Sequence, residues 1–351
     1  MKILLATESY YPNIDGGAVA QHNLVQELEK KGHEICVIAP GYSFKNTVEK
    51  ENKTKIIRTR AVKLPFYMKS RYCFSPFPLF KIGKTIKKFK PDIVTDIGGA
   101  FISFPSKICN IPSIIFNDSE PVPVDRYITY PYAKKILTPN CFLKNLGKKQ
   151  VRYNGYHEIA YLHPNYFKPN PKILDKLSIE KNEKYIVLRF VSWQASHDFL
   201  QAGFPIEWKN KIIKELSEYG RILISSESPI PKKFEKYRVP IKPEEMHDLL
   251  YFADLFLGDG ATMATEAGLL GTPSIRSSSL VGSMGNFIEL MDKYKLVFSY
   301  KKPEFAFNKS VEIINKTNSK KIWEKRKNLV FKEKIDVTRY MVEYFEKLKK
   351  L

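Results

Sequence analysis

An apolar strand that runs straight into a small-residue turn and then a helix is a place where a phosphate can meet bare backbone N–H groups. The run Leu255-Phe256-Leu257-Gly258-Asp259-Gly260-Ala261-Thr262-Met263-Ala264-Thr265-Glu266-Ala267 has that form. Small side chains at Gly260, Ala261 and Thr262 let the ligand approach, and the helix dipole adds about half a positive charge there. One turn further in, Glu266 can accept hydrogen bonds from a ribose diol. The competing reading is an ordinary strand-to-helix turn, with Asp259 or Thr262 as its N-cap. Arg276 ends the next apolar run, where it can contact phosphate or pair with Asp259 or Glu266.

Other residues have the types that chemistry needs. Gly16-Gly17 can expose N–H groups at the tip of the first strand, or simply form a flexible turn. Asp118 and Glu120 follow the apolar run Ser113–Asn117. They fit a general base, a binder of acceptor hydroxyls or of a metal, or a helix cap paired with Arg126. Arg189 and the run Trp193-Gln194-Ala195-Ser196-His197-Asp198 follow another strand. His197 can act as acid/base or hold phosphate, and Trp193 can stack on a base or sugar; a polar loop with a partly buried tryptophan is the alternative. His157-Glu158 and His247 suit structural hydrogen bonding at least as well as a ligand.

The elements that must carry these residues alternate. Ile3–Ala6, Glu34–Ala39, Ile56–Arg60, Asp92–Thr95, Ser113–Asn117 and Ile136–Thr138 read as strands. Helical periodicity marks Val19–Lys31 and Lys81–Lys90. Around Arg152–Asn170 the alternation stops in a turn-rich, aromatic stretch. It resumes with strands at Tyr185–Val191, Arg221–Ser225, Leu255–Leu257 and Pro273–Arg276, and helices at Trp208–Tyr219, Glu244–Ala253 and Thr262–Leu270. Val311–Ile314 and Val337–Leu348 are further helices. A βαβα rhythm implies parallel sheets covered on both faces. The expectation is therefore an N-terminal Rossmann-like domain over 1–155, a donor domain over 170–320, and a helical segment over 321–351 packing back on the first. Ligands of such sheets lie at the carboxyl ends of the strands, here in a cleft faced by both domains.

Composition bounds the partners. The 351 residues suffice for two domains, and 43% are hydrophobic, as in globular proteins. The net charge of +21 favours anionic partners, whether nucleotide phosphates or acidic headgroups, or else reflects solvated lysine faces. The basic helix Lys81, Lys84, Lys87, Lys88 and Lys90 fits a core-packing helix with a wet face, or contact with a membrane surface. No zinc knuckle or helix-turn-helix signature points to nucleic acid. The four cysteines lack CxxC spacing, so neither a metal site nor a disulfide framework is expected. The short apolar run at Met1–Ala6 is too brief for a leader or a membrane span, which fits a cytoplasmic protein.

Several motifs resemble known families. Thr7-Glu8-Ser9-Tyr10-Tyr11-Pro12, then Asp15-Gly16-Gly17-Ala18, then a helix ending Gly32-His33-Glu34, resembles the opening of family-four glycosyltransferases. There the paired glycines lie beneath a sugar diphosphate. Glu266-Ala267-Gly268-Leu269-Leu270-Gly271-Thr272-Pro273-Ser274-Ile275-Arg276 resembles the donor segment of GT-B glycosyltransferases and non-hydrolysing UDP-N-acetylglucosamine 2-epimerases. That resemblance assigns diphosphate to Gly260, Ala261 and Thr262, and ribose to Glu266. Phe116–Glu120, Arg152–Glu158, Leu188–Asp198 and Met246–Tyr251 are similar, in the same order, to an archaeal domain-of-unknown-function family, number 354. This similarity spans about residues 81–300, and the family looks like a GT-B relative of the epimerases.

Two departures matter. Gly258 stands where family-four enzymes carry a glutamate eight positions before the one matched by Glu266. Thr7-Glu8-Ser9 replaces the epimerase Arg-Pro-Glu signature.

Together these readings give an α/β protein of GT-B type with two doubly wound domains, acting as a glycosyltransferase on a nucleotide-diphosphate sugar. A 2-epimerase or a non-catalytic nucleotide-sugar binder is the alternative. Asp118, Glu120 and His197 are the expected catalytic groups. Gly16, Gly17, Arg189, Trp193, Gly260, Ala261, Thr262, Glu266 and Arg276 are the expected donor contacts. No metal or separate cofactor is expected. The donor is expected to be UDP-linked, the acceptor a glycan or a lipid-linked molecule, and the location cytoplasmic with peripheral contact at the inner membrane surface.

Overall fold

Ile3, Leu4 and Leu5 are all buried, as a strand covered on both faces requires. The computed structural model describes residues 1–13, 15–41, 45–60, 62–63, 73–74, 78–98, 102–120, 122, 125–180, 182–190, 204–226 and 229–348. The chain divides into two compact units, one of Met1–Tyr161 with Ile335–Leu351, the other of Leu162–Lys334.

In the first unit the strands are β1 (Lys2–Ala6), β2 (Glu34–Pro40), β3 (Thr47–Glu51), β4 (Thr54–Thr59), a short pair β5 (Val62–Lys63) and β6 (Cys73–Phe74), β7 (Ile93–Ile97), β8 (Ser113–Phe116), β9 (Lys135–Pro139) and β10 (Gln150–Tyr153). The main sheet has the order β10-β9-β8-β7-β1-β2-β4-β3. Its pairings are parallel apart from β3 on β4, which form a hairpin at one edge. The order reverses between β1 and β7, so their carboxyl ends mark the place where a ligand crevice opens.

Period-two alternation sorts the side chains. Leu4, Cys36, Ile38, Val94 and Ile115 pack with Ile82 and Ile86 of helix Pro78–Phe89 in one cluster. The opposite face takes helix Gly16–Lys30, which buries Ala18, Leu24, Val25 and Leu28. Helix Val337–Leu348 packs beside it, with Phe345 meeting Phe116 edge-on at 6.0 Å. Ile335 N donates to Asn154 O at 2.9 Å and Thr338 Oγ1 to Ala160 O at 2.7 Å. Gly155 is small for this reason: a Cβ there would stand 2.5 Å from Val337 Cγ2.

The second unit holds β11 (Tyr185–Arg189), β12 (Arg221–Ser225), β13 (Leu255–Gly258), β14 (Ser274–Ser277) and β15 (Val297–Tyr300). They form a wholly parallel sheet in the order β12-β11-β13-β14-β15. The reversal falls between β11 and β13, where Arg189 is in register with Gly258.

Two boundaries differ from expectation. The stretch after Arg152 contains the end of β10, and the first unit runs on to Tyr161. The segment 321–351 is divided at Lys334: helix Ser319–Glu333 belongs to the second unit, and only the residues beyond it rejoin the first. Its side chains explain the split. Trp323 Nε1 donates to Leu296 O at 2.8 Å, and Lys320 Nζ donates to Ala253 O at 2.8 Å and Thr272 Oγ1 at 2.6 Å.

Because Phe345 is wholly buried, Phe345→Ala should cost about 3–5 kcal/mol of stability. Urea titration followed by circular dichroism measures it, and a loss below about 1 kcal/mol would count against the docking of this helix.

Candidate functional site

In the second unit, β13 ends at Gly258, whose lack of a side chain has a packing reason. A Cβ there would come within 2.9 Å of Arg189 O and 2.8 Å of Phe256 Cζ. The chain then passes Asp259 and enters helix Ala261–Leu269 with Gly260 as an extended N-cap. Gly260 brings no side chain to bond the first N–H groups of the helix. Ala264 to Leu269 are buried, whereas Ala261 and Met263 are half-buried and Thr262 is exposed. Only the first turn of this helix is thus open to a ligand.

Charged side chains gather around that turn. Arg276 is 2% exposed; its Nη2 donates to Ser278 Oγ at 2.9 Å, its guanidinium lies 4.4 Å from the Phe287 ring centre, and its buried Nε has no hydrogen-bond partner among the described residues. Burial pulls its pKa down to about 10, while Asp259 pushes it back up. Asp259 Oδ2 accepts from Phe204 N at 3.4 Å.

Lys209, which the sequence reading passed over, is buried as well, 5.7 Å from the Phe190 ring centre. Burial lowers its pKa and Asp259 opposes the shift. Its spacing to Ile212, Ile213 and Leu216, the buried stripe of helix Ile206–Leu216, was the available signal. Arg189, at the end of β11, is half-buried and donates from Nη1 to Ser225 Oγ at 3.0 Å. Two buried cations, Arg276 and Lys209, thus both feel the buried Asp259 carboxylate that precedes the open turn.

Glu266 is 6% exposed, and its Oε1 lies 3.2 Å from His247 Nε2 on helix Met246–Phe252. Burial depresses the His247 pKa, but the charge and hydrogen bond of Glu266 outweigh it, so the net shift is upward. A structural role for His247 accordingly takes a specific form, a charge-linked pair with the expected ribose ligand.

In the first unit the loop after β1 is tied together by its own polar groups. Ser9 Oγ donates to Asp15 Oδ2, Asn13 Nδ2 to Ser9 Oγ at 3.1 Å, and Gln21 Nε2 to Thr7 Oγ1 at 2.7 Å. Asp15 caps helix Gly16–Lys30 through Ala18 N at 2.9 Å. Gly16 has a packing reason to be glycine, since a Cβ would lie 2.4 Å from Tyr161 Oη; at Gly17 a Cβ would lie 3.3 Å from Asp15 Oδ1.

Asp118 is half-buried after β8, with Ser119 Oγ donating to it at 3.2 Å. Its charge reaches His157, whose pKa is lowered by burial and only partly restored by Asp118. Glu120 is differently placed. It is buried, accepts Leu143 N at 3.1 Å, and its carbonyl accepts from Lys144 Nζ, so it braces the loop after β9. No ion pair of Glu120 with Arg126 is among the described salt bridges.

Asp125 was not singled out from sequence. It is buried, accepts from Asn117 Nδ2 at 2.8 Å and Thr129 Oγ1 at 3.0 Å, and burial raises its pKa. Glu8 at the end of β1 is also raised, by desolvation first and then by the Asp125 charge. Trp193 and His197 lie outside the described residues. Among the described residues, no three His, Cys, Asp or Glu side chains gather as metal ligands, and no helix is long and apolar enough to cross a membrane.

The chain is similar to several known proteins. An uncharacterized protein of Methanocaldococcus jannaschii is 27% identical over 179 residues, covering 47% of this chain and 51% of that protein. A GDP-mannose-dependent alpha-mannosyltransferase of Corynebacterium glutamicum is 27% identical over 120 residues, 32% of this chain and 28% of that enzyme. The chain thus spans about half the first relative's length and less of the second's.

Among solved structures, S. aureus MnaA with UDP superposes with a TM-score of 0.67 at 14% identity, covering 100% of this chain and 97% of that one. Sucrose-phosphate synthase of Thermosynechococcus elongatus gives 0.65 at 11% identity, with 99% of both chains covered. UDP-GlcNAc 2-epimerase of Methanocaldococcus jannaschii gives 0.57 at 14%, with 94% and 100% covered. These likenesses establish a GT-B fold of two Rossmann-like domains. The pattern of one family matches residues 23–349, and the chain belongs to that family, the protein of unknown function DUF354.

Proposed function

We propose that this protein is a glycosyltransferase-like enzyme that binds a nucleoside-diphosphate sugar through its second unit and transfers the sugar to a glycan or lipid-linked acceptor. The observation that carries this reading is the first turn of helix Ala261–Leu269, open at the sheet's reversal point with Gly260 as its cap and Arg276 and Lys209 buried nearby. The N–H groups of Gly260, Ala261 and Thr262 take the diphosphate, and Arg189 approaches it from the end of β11. Arg276 and Lys209 act from beneath as fixed countercharges, which matter most as negative charge grows on the leaving diphosphate. Glu266 accepts the ribose hydroxyls.

In the first unit, the start of the Asp15-capped helix at Gly16-Gly17 is a further anion-binding turn in this reading. Asp118 is the better-placed base of the two carboxylates after β8, because Glu120 is committed to Leu143 N. Trp193 and His197 keep their proposed roles in stacking and proton transfer. A UDP-linked donor is favoured by two structural neighbours, one holding UDP and one named for UDP-GlcNAc. The second of these also keeps 2-epimerisation as the alternative.

A nucleotide-sugar panel separates the readings. Release of free nucleotide only with acceptor supports transfer, a sugar isomer formed without acceptor supports epimerisation, and binding with neither outcome leaves a non-catalytic binder. Glu266→Ala should weaken nucleotide binding by about 1–3 kcal/mol in calorimetry. Unchanged affinity would remove Glu266 from the ribose site.

A peripheral membrane contact is proposed for helices Pro78–Phe89 and Ser103–Ile108 of the first unit. Phe80 is 81% exposed and Ile108 63%, among exposed Lys84, Lys87, Lys88 and Lys107. Such a surface suits anionic headgroups. The protein should sediment with phosphatidylglycerol vesicles and not with phosphatidylcholine vesicles, and Phe80→Ser with Ile108→Ser should reduce the bound fraction. Equal sedimentation of the double variant would sink this contact.

A further inference from the structure

We propose that His247 is a positioning residue of the nucleotide site: by pairing with Glu266 it orients that carboxylate and makes affinity for a nucleoside-diphosphate sugar depend on pH. The inference rests on reading Gly260–Glu266 as the donor site.

A carboxylate as buried as Glu266 needs a partner, and His247 Nε2 stands 3.2 Å from its Oε1. The imidazole is itself held. The Phe167 ring meets it edge-on at 5.9 Å, and Asn170 N donates to the neighbouring Asp248 at 2.8 Å. At the start of the same helical region, Lys176 Nζ is 2.6 Å from Glu245 Oε2. Among the described residues, the charged groups that act on His247 include Glu266 from helix Ala261–Leu269 and Asp248 on its own helix, with the Lys176–Glu245 pair at the start of that helical region.

Burial alone would strip the proton from His247, yet Glu266 first and Asp248 after it hold the proton above the ordinary imidazole range. Below that titration the pair is a neutral ion pair with a fixed carboxylate. Above it, the imidazole is neutral and no longer offsets the charge of Glu266, though a neutral ring can still donate one N–H.

Glu266 lies five residues beyond Ala261, about 7.5 Å along the axis at roughly 1.5 Å per residue. Over that distance the loss of one positive charge beside Glu266 weakens the hold on an incoming diphosphate several-fold. Affinity is therefore greatest while His247 is protonated and falls as pH rises through its folded-state pKa. By linkage, bound ligand must raise the His247 pKa in turn.

The test uses the full chain and calorimetric titration with UDP-, GDP-, ADP- and dTDP-linked sugars, from about pH 5.5 to about pH 9, which brackets the imidazole range. The diphosphate diester keeps constant charge over that window and adenine loses no proton in it, so a pH dependence that the ADP-linked sugar shares with the others belongs to the protein. Wild-type affinity should fall on the order of fivefold toward alkaline pH, and His247→Gln should give a flat profile. Nuclear magnetic resonance of the imidazole should show its titration moving down in Glu266→Gln and up when the nucleotide sugar binds.

A pH dependence that persists in His247→Gln, or an imidazole titration indifferent to bound ligand, overturns the proposal while leaving the donor site standing. If no nucleotide sugar binds the wild type at any pH, the donor-site reading itself fails. The Glu266→Gln titration then still reports whether the pair exists.

Discussion

A parallel strand covered on both faces can bury a polar side chain along its length only where that group is hydrogen-bonded, so charge gathers toward the strand ends. Thr95 within β7 is such a group, its Oγ1 donating to Ile114 O at 2.9 Å. Leu4, Leu5, Val187, Leu188, Phe256 and Leu257 fill the strand interiors with apolar volume. Charged residues stand at or just past the carboxyl ends: Glu8 after β1, Asp118 after β8, Arg189 closing β11, and Asp259 after β13. Because each sheet reverses strand order beside a central strand, neighbouring loops part there and leave room for a ligand. The sites follow from the winding of the sheets more than from any one loop sequence.

Charge is the second organising feature. Burying Arg276 and Lys209 is unfavourable, and the Asp259 carboxylate offsets part of that cost for both. Nothing in packing alone requires two cations near this helix start. The same logic separates the carboxylates of the first unit. Asp118 keeps a half-buried carboxylate beside a largely neutral His157, whereas Glu120 is bonded to the backbone and Asp125 to Asn117 and Thr129.

Much of this was legible in the linear sequence wherever one periodicity dominated. Val337, Met341, Val342 and Phe345 mark the apolar stripe of the last helix, and the strand-turn-helix at Gly258–Glu266 announces itself by its small residues. What escaped depends on partners distant in the chain. The link between His247 and Glu266 needs two helices to pack, and the inward turn of Lys209 is concealed by its charge. Gly16 and Gly258 look like ligand-facing glycines, yet Tyr161 and Arg189 already occupy the space a Cβ would need. Helix Ser319–Glu333 was assigned to the returning segment because its lysine-rich surface hides the one tryptophan that anchors it to Leu296.

The path of the chain has a consequence in time. The first unit is begun by Met1–Tyr161 but finished only by Ile335–Leu351, after the whole of the second has been threaded out. During synthesis at roughly 5–20 residues per second, the sheet face that will receive Phe345 waits on the order of ten to thirty seconds for its cover. Phe116 and its neighbours are exposed through that interval, whereas the second unit can close as soon as its last helix emerges. The later-made unit is therefore the first able to complete its fold, and the nascent first unit is the part that most needs protection from aggregation.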